Sequence, residues 1–358
     1  MFSASWEFIK RHKGKIAVGA IVAARLQARR NYVFDSNQRS CDESIYQLIP
    51  SIEKKLTLRF NLDELTEQLK ADKALESAEK VEIWTQICNM AVSRVLAAAY
   101  AYGFAIIGLK TQISMLSGQI YRDSVNAGLT ENLVSKLFQW AGWEEASDTR
   151  VDREKAASTQ QIFLQCIQYF TGVGVSQLAD RLAAVSKEVC EPLSLKESFS
   201  VESLRELFSE VRRRFEPSDL RNHSYFLVPL TANQDAFGSS EHSALLEELV
   251  ATFKHNLESE RCRQLLNFLV DHFLSAAVDA VGQCNSDLRA GTLLHVALPI
   301  SCKSVPPGNS LPLAKLIPLI GDSFDSVGDL SELDGALPSL LASSELGQYC
   351  VEVFERRI

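Results

Sequence analysis

The sequence predicts an all-α protein, and two observations carry that prediction. Alternation of apolar and polar residues with period two, the pattern of half-buried strands, is scarce along the chain. The stretch Val81–Tyr121 contains no proline and is rich in strong helix formers. As a single helix it would be roughly 60 Å long, at about 1.5 Å per residue. We therefore expect a helical bundle organised around this central helix.

The central stretch predicts a helix that is covered on all sides. Apolar residues recur at helical spacing from Ile83 to Val95, and the 15 residues between Arg94 and Lys110 carry no charge. A helix that is apolar all round lies in a protein core or in a membrane. The uncharged run is shorter than the ~18–20 residues that a bilayer span requires, so the sequence favours the core.

Charge is distributed unevenly along the 358 residues. The chain has a net charge of −8, but seven Lys and Arg against Glu7 alone give the segment through Arg30 a charge of +6, which leaves −14 on the remainder. A basic arm on an acidic body suggests an anionic surface as the arm's partner. The body offers no basic stripe with interleaved aromatic residues, so nucleic acid is disfavoured and a membrane is the better candidate.

The basic arm predicts a targeting or membrane-anchor segment. Lys10, Arg11, Lys13 and Lys15 precede the apolar run Ile16–Ala24, whose nine residues are too few to cross a bilayer as a helix. Three interpretations remain open: a secretory signal, a mitochondrial presequence and a shortened membrane anchor. Eight cysteines without any C-x-x-C spacing argue against export and against a disulfide framework or zinc site, and favour reduced thiols.

Capping residues, glycines and prolines predict the remaining elements. Before the central helix we expect a helix from Asp42 or Ser44 through Leu56, interrupted by Pro50, and a second from Asn61 or Asp63 to Lys70. After it, the expected elements are helices at Glu131–Gly142, Ser158–Cys190 with a kink at Gly172 and Gly174, Val201–Phe215 capped by Ser200, Ser239 or Ser240 to His255, Glu258–Val281, Leu330–Leu337 and Ser344–Phe354; loops at Glu144–Lys155 and Pro217–Phe237; an irregular segment, Cys284–Ser310; and a buried extended segment, Leu311–Ile320.

No sequence motif indicates catalysis, a cofactor or a metal. The chain lacks the P-loop, dinucleotide-binding, H-E-x-x-H and G-x-S-x-G patterns. His272 lies within an amphipathic helical pattern, where a structural histidine is more common than a ligand. The sequence therefore disfavours an enzyme.

Several segments resemble one protein family, and they keep their order along nearly the whole chain. They are W-x-F-I-K-R-H-K at 6–13, R-R-N-Y-V-F-D-S-N-Q-R-S-C at 29–41, E-I-W at 82–84, Q-I-S-M-L-S-G-Q-I-Y at 112–121, S-L-K-E-S-F-S at 194–200 and L-P-L-A-K-L-I-P-L-I at 311–320. In these segments the chain resembles the peroxin-3 family. It departs from the family at Gly291–Gly308 and in the shorter apolar run after the basic arm.

This resemblance implies a fold, a location and a partner. The expected fold is an elongated, twisted helical bundle around one long central helix. The expected organisation is a basic, shortened targeting or anchor segment at 1–29 and a cytosolic helical docking domain at 30–358. Such a protein sits in the peroxisomal membrane, contacts its lipid, and docks the soluble import receptor, peroxin nineteen, which carries new peroxisomal membrane proteins.

The resemblance also implies the docking residues. A groove that binds a receptor helix needs an apolar floor, an aromatic anchor and a polar rim. The positions that match or neighbour the family's receptor groove are Leu69, Lys70, Lys80, Ile83, Trp84, Ile87 and Ile120. Two alternatives stay open: a cytosolic helical adaptor with a peripheral basic arm, and a protein that binds or modifies lipid in the apolar centre.

Overall fold

A computed structural model describes the backbone of residues 2–71, 76–126, 151–219, 223–228, 243–290, 310–328 and 335–357. Side chains are described from residue 25 onward, apart from those at 123, 124, 126, 151–158, 217–219, 243 and 287–290. The helices of these ranges are α1 Phe2–Arg59, α2 Leu62–Ala71, α3 Ser77–Asn126, α4 Val151–Tyr169, α5 Val175–Cys190, α6 Val201–Asp219, α7 Ser224–Leu227, α8 Ser243–Leu257, α9 Glu260–Ala290, α10 Leu313–Asp322, α11 Phe324–Val327, α12 Ala336–Leu341 and α13 Ser344–Glu355.

The prediction of an all-α protein is confirmed. In the described ranges, strands occur only as β1, Ser198–Ser200, and β2, Ser310–Pro312. They pair antiparallel, with Phe199 opposite Leu311. This two-stranded ribbon joins the start of α6 to the start of α10, which are far apart in sequence.

The predicted central helix is confirmed as α3, whose 50 residues give a length of about 75 Å. Helices α1, α5, α9, α10 and α13 all pack against it. From Ala91 to Ile107, every apolar side chain is at most 1% exposed. Small residues permit this close packing, because a Cβ atom at Gly103 would lie 2.9 Å from Leu266 and one at Gly118 would lie 2.6 Å from the Phe354 carbonyl oxygen. The apolar core of the protein is therefore built around α3.

The predicted boundaries of the first helix were wrong. Helix α1 begins at Phe2 and continues through Pro50 to Arg59. An internal proline costs roughly 3 kcal/mol in a helix. Here Pro50 is on the exposed face, while Ile45, Ile49 and Ile52 on either side are at most 1% exposed. Burial of this stripe against the core outweighs the local penalty, which propensity alone does not reveal.

Polar side chains align the other half of α1 with α3. Asn37 Nδ2 donates to Ser117 Oγ at 2.6 Å, and Gln38 Nε2 donates to Ser114 Oγ at 3.0 Å. The amine of Lys110, whose side chain is 4% exposed, lies 2.6 Å from Asp42. Burial lowers the pKa of Lys110, but the ionisable groups beside it, Cys41, Cys350 and Asp42, outweigh burial and raise it. These pairs set the antiparallel register of α1 on α3.

The predicted kink at Gly172 and Gly174 corresponds to a single π-helical turn, Phe170–Gly174, between α4 and α5. The amine of Lys55 on α1 donates to the Thr171 carbonyl oxygen in this turn. Gly174 lies against the carbonyl of Phe226, in the segment around α7. The turn therefore contacts both α1 and the α7 segment.

Several other predicted elements need correction. The segment Leu311–Ile320 is not extended beyond Pro312, since α10 starts at Leu313 and contains Pro318. Helix α12 likewise contains Pro338, and α6 continues past Pro217 into the predicted loop. Pro318 lies inside its helix, where packing outweighs the local penalty, whereas Pro338 lies in the first turn of α12, where proline is tolerated. The predicted cap of α6 is confirmed, because Ser203 N donates to Ser200 Oγ at 3.1 Å.

Other boundaries differ by a turn or more, and two predictions lie outside the described residues. Helix α9 continues to Ala290, into the predicted irregular segment, and α7 lies within the predicted loop Pro217–Phe237. The helix predicted at 131–142 and most of the loop predicted at 144–155 fall in the range 127–150, which the structure does not describe.

The described cysteines, which exclude Cys302, are free thiols. Burial raises the pKa of Cys166 and Cys262 to about 12 and that of Cys350 to about 11. These thiols are therefore protonated at neutral pH and chemically quiet.

Two of the described helical stretches are long and apolar enough to cross a membrane by length and composition. They are Ser77–Arg122, with a mean hydropathy of 1.6 in its most apolar window, and Glu260–Ser286, with 1.3. The window in the first stretch is 89% buried within the protein, as expected for a core helix. The first stretch thus matches the predicted core helix rather than a membrane span.

We predict that Ala98→Asp strongly destabilises the protein. Ala98 is fully buried, and an unpaired charge there should cost several kcal/mol, a large part of a typical folding free energy of ~5–15 kcal/mol. Thermal unfolding followed by circular dichroism measures the effect. The matched control is Ala78→Asp, at an exposed position in the first turn of the same helix. Equal melting temperatures for the two variants would contradict the buried position of Ala98.

We also predict opposite effects for two glycines of the π-helical turn. A Cβ atom at Gly174 would collide with the Phe226 carbonyl and lie 2.9 Å from the Phe170 ring, whereas nothing lies within 4 Å of one at Gly172. Gly174→Ala should therefore cost about 1–3 kcal/mol of unfolding free energy. Gly172→Ala should be neutral or stabilising by up to ~1 kcal/mol. Urea denaturation midpoints compare them, and a neutral Gly174→Ala would refute this packing.

Candidate docking surface

Helix α2 lies along the first turns of α3. It follows α1 after two residues, Phe60 and Asn61, and only residues 72–76 separate it from α3. Because this link is short and the two helices pack together, α2 runs antiparallel to the start of α3. One end of α2 can be located, since Leu62 lies beside Gly321 and the Arg94 guanidinium donates to the Gly321 carbonyl oxygen at 2.9 Å. Leu62 is thus level with Arg94, and Leu69 lies nearer the start of α3.

The apolar stripe of α2 is incompletely covered. Leu62, Leu65 and Leu69 recur at helical spacing and pack against the core, yet no residue of α2 is fully buried. An amphipathic helix normally buries such a stripe. We call these residues, with Ile83, Trp84 and Ile87 of α3, the α2–α3 surface. It is an apolar helix pair that the described part of the chain leaves half open.

The predicted aromatic anchor lies on this surface. Trp84 is partly buried against the core, whereas Ile83 and Ile87 on the same helix are 8% and 4% exposed. The two isoleucines therefore form the floor, and the indole of Trp84 retains accessible area. Val81, one turn earlier, is 53% exposed and extends the apolar area toward the start of α3.

The two predicted lysines lie near the edge of the surface. Lys70 is exposed in the last turn of α2, and Lys80 is half-buried in the first turns of α3. The start of α3 carries a local cap, in which Glu76 N donates to Glu79 Oε2 at 3.0 Å. Both lysines thus lie close to the short link between the helices, where exposed glutamates such as Glu76 and Glu79 also lie, so charges of both signs border the apolar stripe.

The structure separates Ile120 from the other predicted docking residues. Ile120 is on α3, 36 positions after Trp84, and the helix is continuous between them. At about 1.5 Å per residue, roughly 54 Å of helix lies between the two side chains. Ile120 is also only 7% exposed. It cannot share a site with Trp84, and we leave it out of the α2–α3 surface.

The predicted targeting residues lie at the end of α1 that is remote from the α2–α3 surface. Lys10, Arg11, Lys13 and Lys15 fall in the N-terminal part of α1, whose backbone is helical; their side chains lie outside the described set. Helix α1 has 58 residues, or about 87 Å of helix between Phe2 and Arg59. The α2–α3 surface therefore begins at the end of α1 that is farthest from the basic arm.

Sequence reasoning missed a group of charged residues beside Leu62. The carboxylates of Glu53, Asp63, Asp322 and Asp325 act electrostatically on the guanidinium of Arg94, and we call these four carboxylates the acidic cluster. The guanidinium stacks 4.2 Å from the centre of the Phe324 ring. Burial lowers the pKa of Arg94, and the four carboxylates offset this only in part. The residues come from α1, α2 and the α10–α11 region, so no local pattern links them.

The described residues show no metal site. No group of three or more His, Cys, Asp or Glu side chains in the described ranges has the geometry to hold a metal ion. The α2–α3 surface has the chemistry of a binding surface: an apolar floor, one aromatic side chain and charged edges.

Comparison with known proteins gives the family. The family model of Peroxin-3 matches residues 71–354. The chain belongs to the peroxin-3 family. Over 99% of its length and 97% of theirs, it is 25% identical to peroxisomal biogenesis factor 3 of Mus musculus and of Homo sapiens, and 26% identical to that of Bos taurus.

Membership of the peroxin-3 family establishes a role in peroxisome biogenesis. The family is one of biogenesis factors and is not a known enzyme family. The match covers α3 to α13 together with most of their connections, so the α3 half of the α2–α3 surface lies inside the family domain.

Proposed function

We propose that this peroxin-3 family member is a docking receptor of the peroxisomal membrane, with its helical domain in the cytosol. Its partner is the soluble import receptor, peroxin nineteen, which delivers new peroxisomal membrane proteins. The observation that carries the proposal is the half-covered stripe of α2 beside Trp84. Apolar area left open beside a partly exposed aromatic side chain favours binding of a partner protein.

The geometry favours a helical segment as the docked element. An amphipathic helix binds a groove through apolar side chains at positions i, i+3, i+4 and i+7. The stripe Leu62, Leu65 and Leu69 spans eight residues, or about 10 Å of α2, and Trp84 lies on the neighbouring helix. A partner helix laid along α2 and α3 would cover both sets of side chains together.

The position of the surface also suits docking from the cytosol. If the segment before residue 30 lies at the membrane, with Lys10, Arg11, Lys13 and Lys15 near the anionic lipid headgroups, helix α1 carries the body away from the bilayer. The α2–α3 surface is then on the side remote from the membrane. A soluble receptor reaches it without approaching the lipid.

We predict that Trp84→Ala weakens binding of the import receptor by about 2–4 kcal/mol, the usual range for an aromatic anchor at an interface. This corresponds to roughly thirty- to a thousandfold in the dissociation constant. Lys80→Glu should change mainly the association rate and its salt dependence, because a charge at the edge steers encounter more than it holds the complex. Calorimetric titration and stopped-flow mixing with the full-length receptor measure the two effects.

The matched control is Phe34→Ala. Phe34 is also a partly buried aromatic residue, but it packs 5.2 Å from the Phe354 ring, near Tyr121 at the other end of α3. Truncating it should lower the melting temperature and leave receptor affinity unchanged. If Trp84→Ala lowered only the melting temperature and the folded variant bound normally, Trp84 would be a core residue and the docking proposal would fail.

A further prediction concerns the anchor. Because Ile16–Ala24 contains nine residues, alkaline carbonate should release part of the protein from peroxisomal membranes. A variant with this run lengthened to about twenty apolar residues should stay in the membrane pellet. Local thinning of the bilayer and snorkelling of Lys15 and Arg25 give the unaltered chain partial retention. Complete retention of the unaltered protein would contradict the prediction, and complete release would favour a peripheral cytosolic adaptor.

A further inference from the structure

One end of helix α2 is held more firmly than the other. Phe60, just before α2, is 2% exposed, and a Cβ atom at Gly321 of α10 would lie 3.0 Å from Leu62 Cδ1. At the other end, Lys70 and Ala71 are exposed. No residue of α2 is fully buried. The contact between Leu62 and Gly321 therefore has a large part in deciding where α2 lies on α3.

Arg94 of α3 holds the corner that Leu62 contacts. Arg94 Nη2 donates to the Gly321 carbonyl oxygen at 2.9 Å, and the guanidinium carbon lies 4.2 Å from the centre of the Phe324 ring. Gly321 is in the last turn of α10, where carbonyl groups have no partner within a helix. Phe324 begins α11 and is 1% exposed. One side chain of α3 thus contacts both sides of the corner between α10 and α11.

The two contacts of Arg94 depend on the shape of its guanidinium group. A guanidinium group is planar, donates hydrogen bonds within its plane and stacks on an aromatic ring with its face. Arg94 uses its edge toward Gly321 and its face toward Phe324. An ammonium group carries the same charge but has no flat face, so it cannot make both contacts in this arrangement. The change Arg94→Lys therefore alters the geometry of the corner and keeps the charge.

The held end of α2 determines the position of the docking residues farther along it. Leu62 is level with Arg94 and α2 runs antiparallel to α3, so Leu69, seven residues on, is level with about Ile87. Trp84 is less than one helical turn from Ile87. A helix of ten residues moves as a rigid element. A change in the position of Leu62 therefore also moves Leu69 relative to Trp84.

We propose that Arg94 is a positioning residue for the α2–α3 surface: through the Gly321 corner it sets where Leu62 rests, and so the spacing between the apolar stripe of α2 and Trp84. This inference rests on the proposed docking function. A partner helix that lies across two helices needs their side chains at a fixed spacing. If α2 adopts the required position only a third to a tenth as often, the apparent affinity falls roughly three- to tenfold.

The first test changes Arg94 and measures binding of the full-length import receptor to the full-length protein by calorimetric titration. Arg94→Lys should bind roughly three- to tenfold more weakly. The matched control is Arg205→Lys on α6, where the arginine pairs with Glu202 and Asp279 at the surface. This control makes the same chemical change far from α2 in the sequence and should bind like the unaltered protein.

The second test changes the other side of the corner. A Cβ atom in Gly321→Ala would come closer to Leu62 than a Cβ atom normally approaches a neighbour, so α2 must shift by a few tenths of an ångström. Receptor binding should weaken roughly two- to fivefold. The matched control is Gly347→Ala on α13, which is exposed and where nothing lies within 4 Å of an added Cβ atom. This control should not change affinity.

A double variant separates positioning from a general loss of stability. Leu62→Val removes the Cδ1 atom that an alanine at position 321 would displace. In a protein that already carries Leu62→Val, adding Gly321→Ala should therefore weaken binding much less than it does alone. An effect that came only from lower stability would be the same with Leu62 or with valine. Thermal melting of each variant identifies the temperature at which all of them are folded.

Hydrogen exchange gives a measurement that needs no receptor. In the free protein, Arg94→Lys should speed amide exchange in α2, Leu62–Ala71, roughly three- to tenfold and leave α13, Ser344–Glu355, unchanged. Arg205→Lys should leave both helices unchanged. Faster exchange in α2 and α13 alike would show a general loss of stability and would overturn the positioning proposal.

The outcomes separate this inference from the proposed function. Binding that weakens in Trp84→Ala but is unchanged in Arg94→Lys and Gly321→Ala would overturn the positioning role alone, as would an equal effect of Gly321→Ala with and without Leu62→Val. Receptor binding that does not depend on Trp84 would overturn the docking proposal and this inference with it. If Arg94→Lys does not fold, Gly321→Ala and its double variant decide the question.

Discussion

The structure depends on complete burial of the uncharged middle of α3. An uncharged run of 15 residues, without a polar face, is stable in water only if other helices cover it from every direction. Helices α1, α5, α9, α10 and α13 provide that cover, and the large buried side chains of the core, such as Phe104 and Phe273, fill the spaces between them. At ~25 cal/mol per Å² of buried apolar area, this packing is the main favourable contribution to folding.

Two features depart from this apolar packing and determine how the other helices lie around α3. Toward the C-terminal half of α3, the contact with α1 becomes polar, and Asn37, Gln38 and Asp42 meet Ser117, Ser114 and Lys110. Such pairs discriminate between registers more than they add stability, because a shifted helix would leave buried polar groups unpaired. Toward the N-terminal half, the cover itself is incomplete, since α2 buries no residue fully. The polar contacts therefore fix the register of α1 on α3, and the incomplete burial of α2 leaves a surface for a partner.

The sequence predicted the helical class, the central helix, the α2 helix and the cap at Ser200, because these depend on local periodicity and capping. It failed where a proline lies inside a packed helix, at Pro50 and Pro318, because tertiary burial there outweighs a local penalty. Of the predicted docking residues, those near the two ends of the link lie on the paired helices α2 and α3. Ile120 lies far from them, and the single helix predicted over Val81–Tyr121 already implied this, because it places Ile120 about 54 Å from Trp84. The acidic cluster could not be predicted, because its four residues come from three separate regions of the chain.

Hydrogen exchange tests the central claim, docking of a partner on the α2–α3 surface, most directly. The full-length protein is compared with and without saturating full-length import receptor, and exchange is followed by mass spectrometry. Our account predicts slower exchange in α2, Leu62–Ala71, and in the first turns of α3, with no change in α13, Ser344–Glu355. Protection at α13 or along α6 with α2 unchanged would contradict it and would place the docking site elsewhere on the bundle.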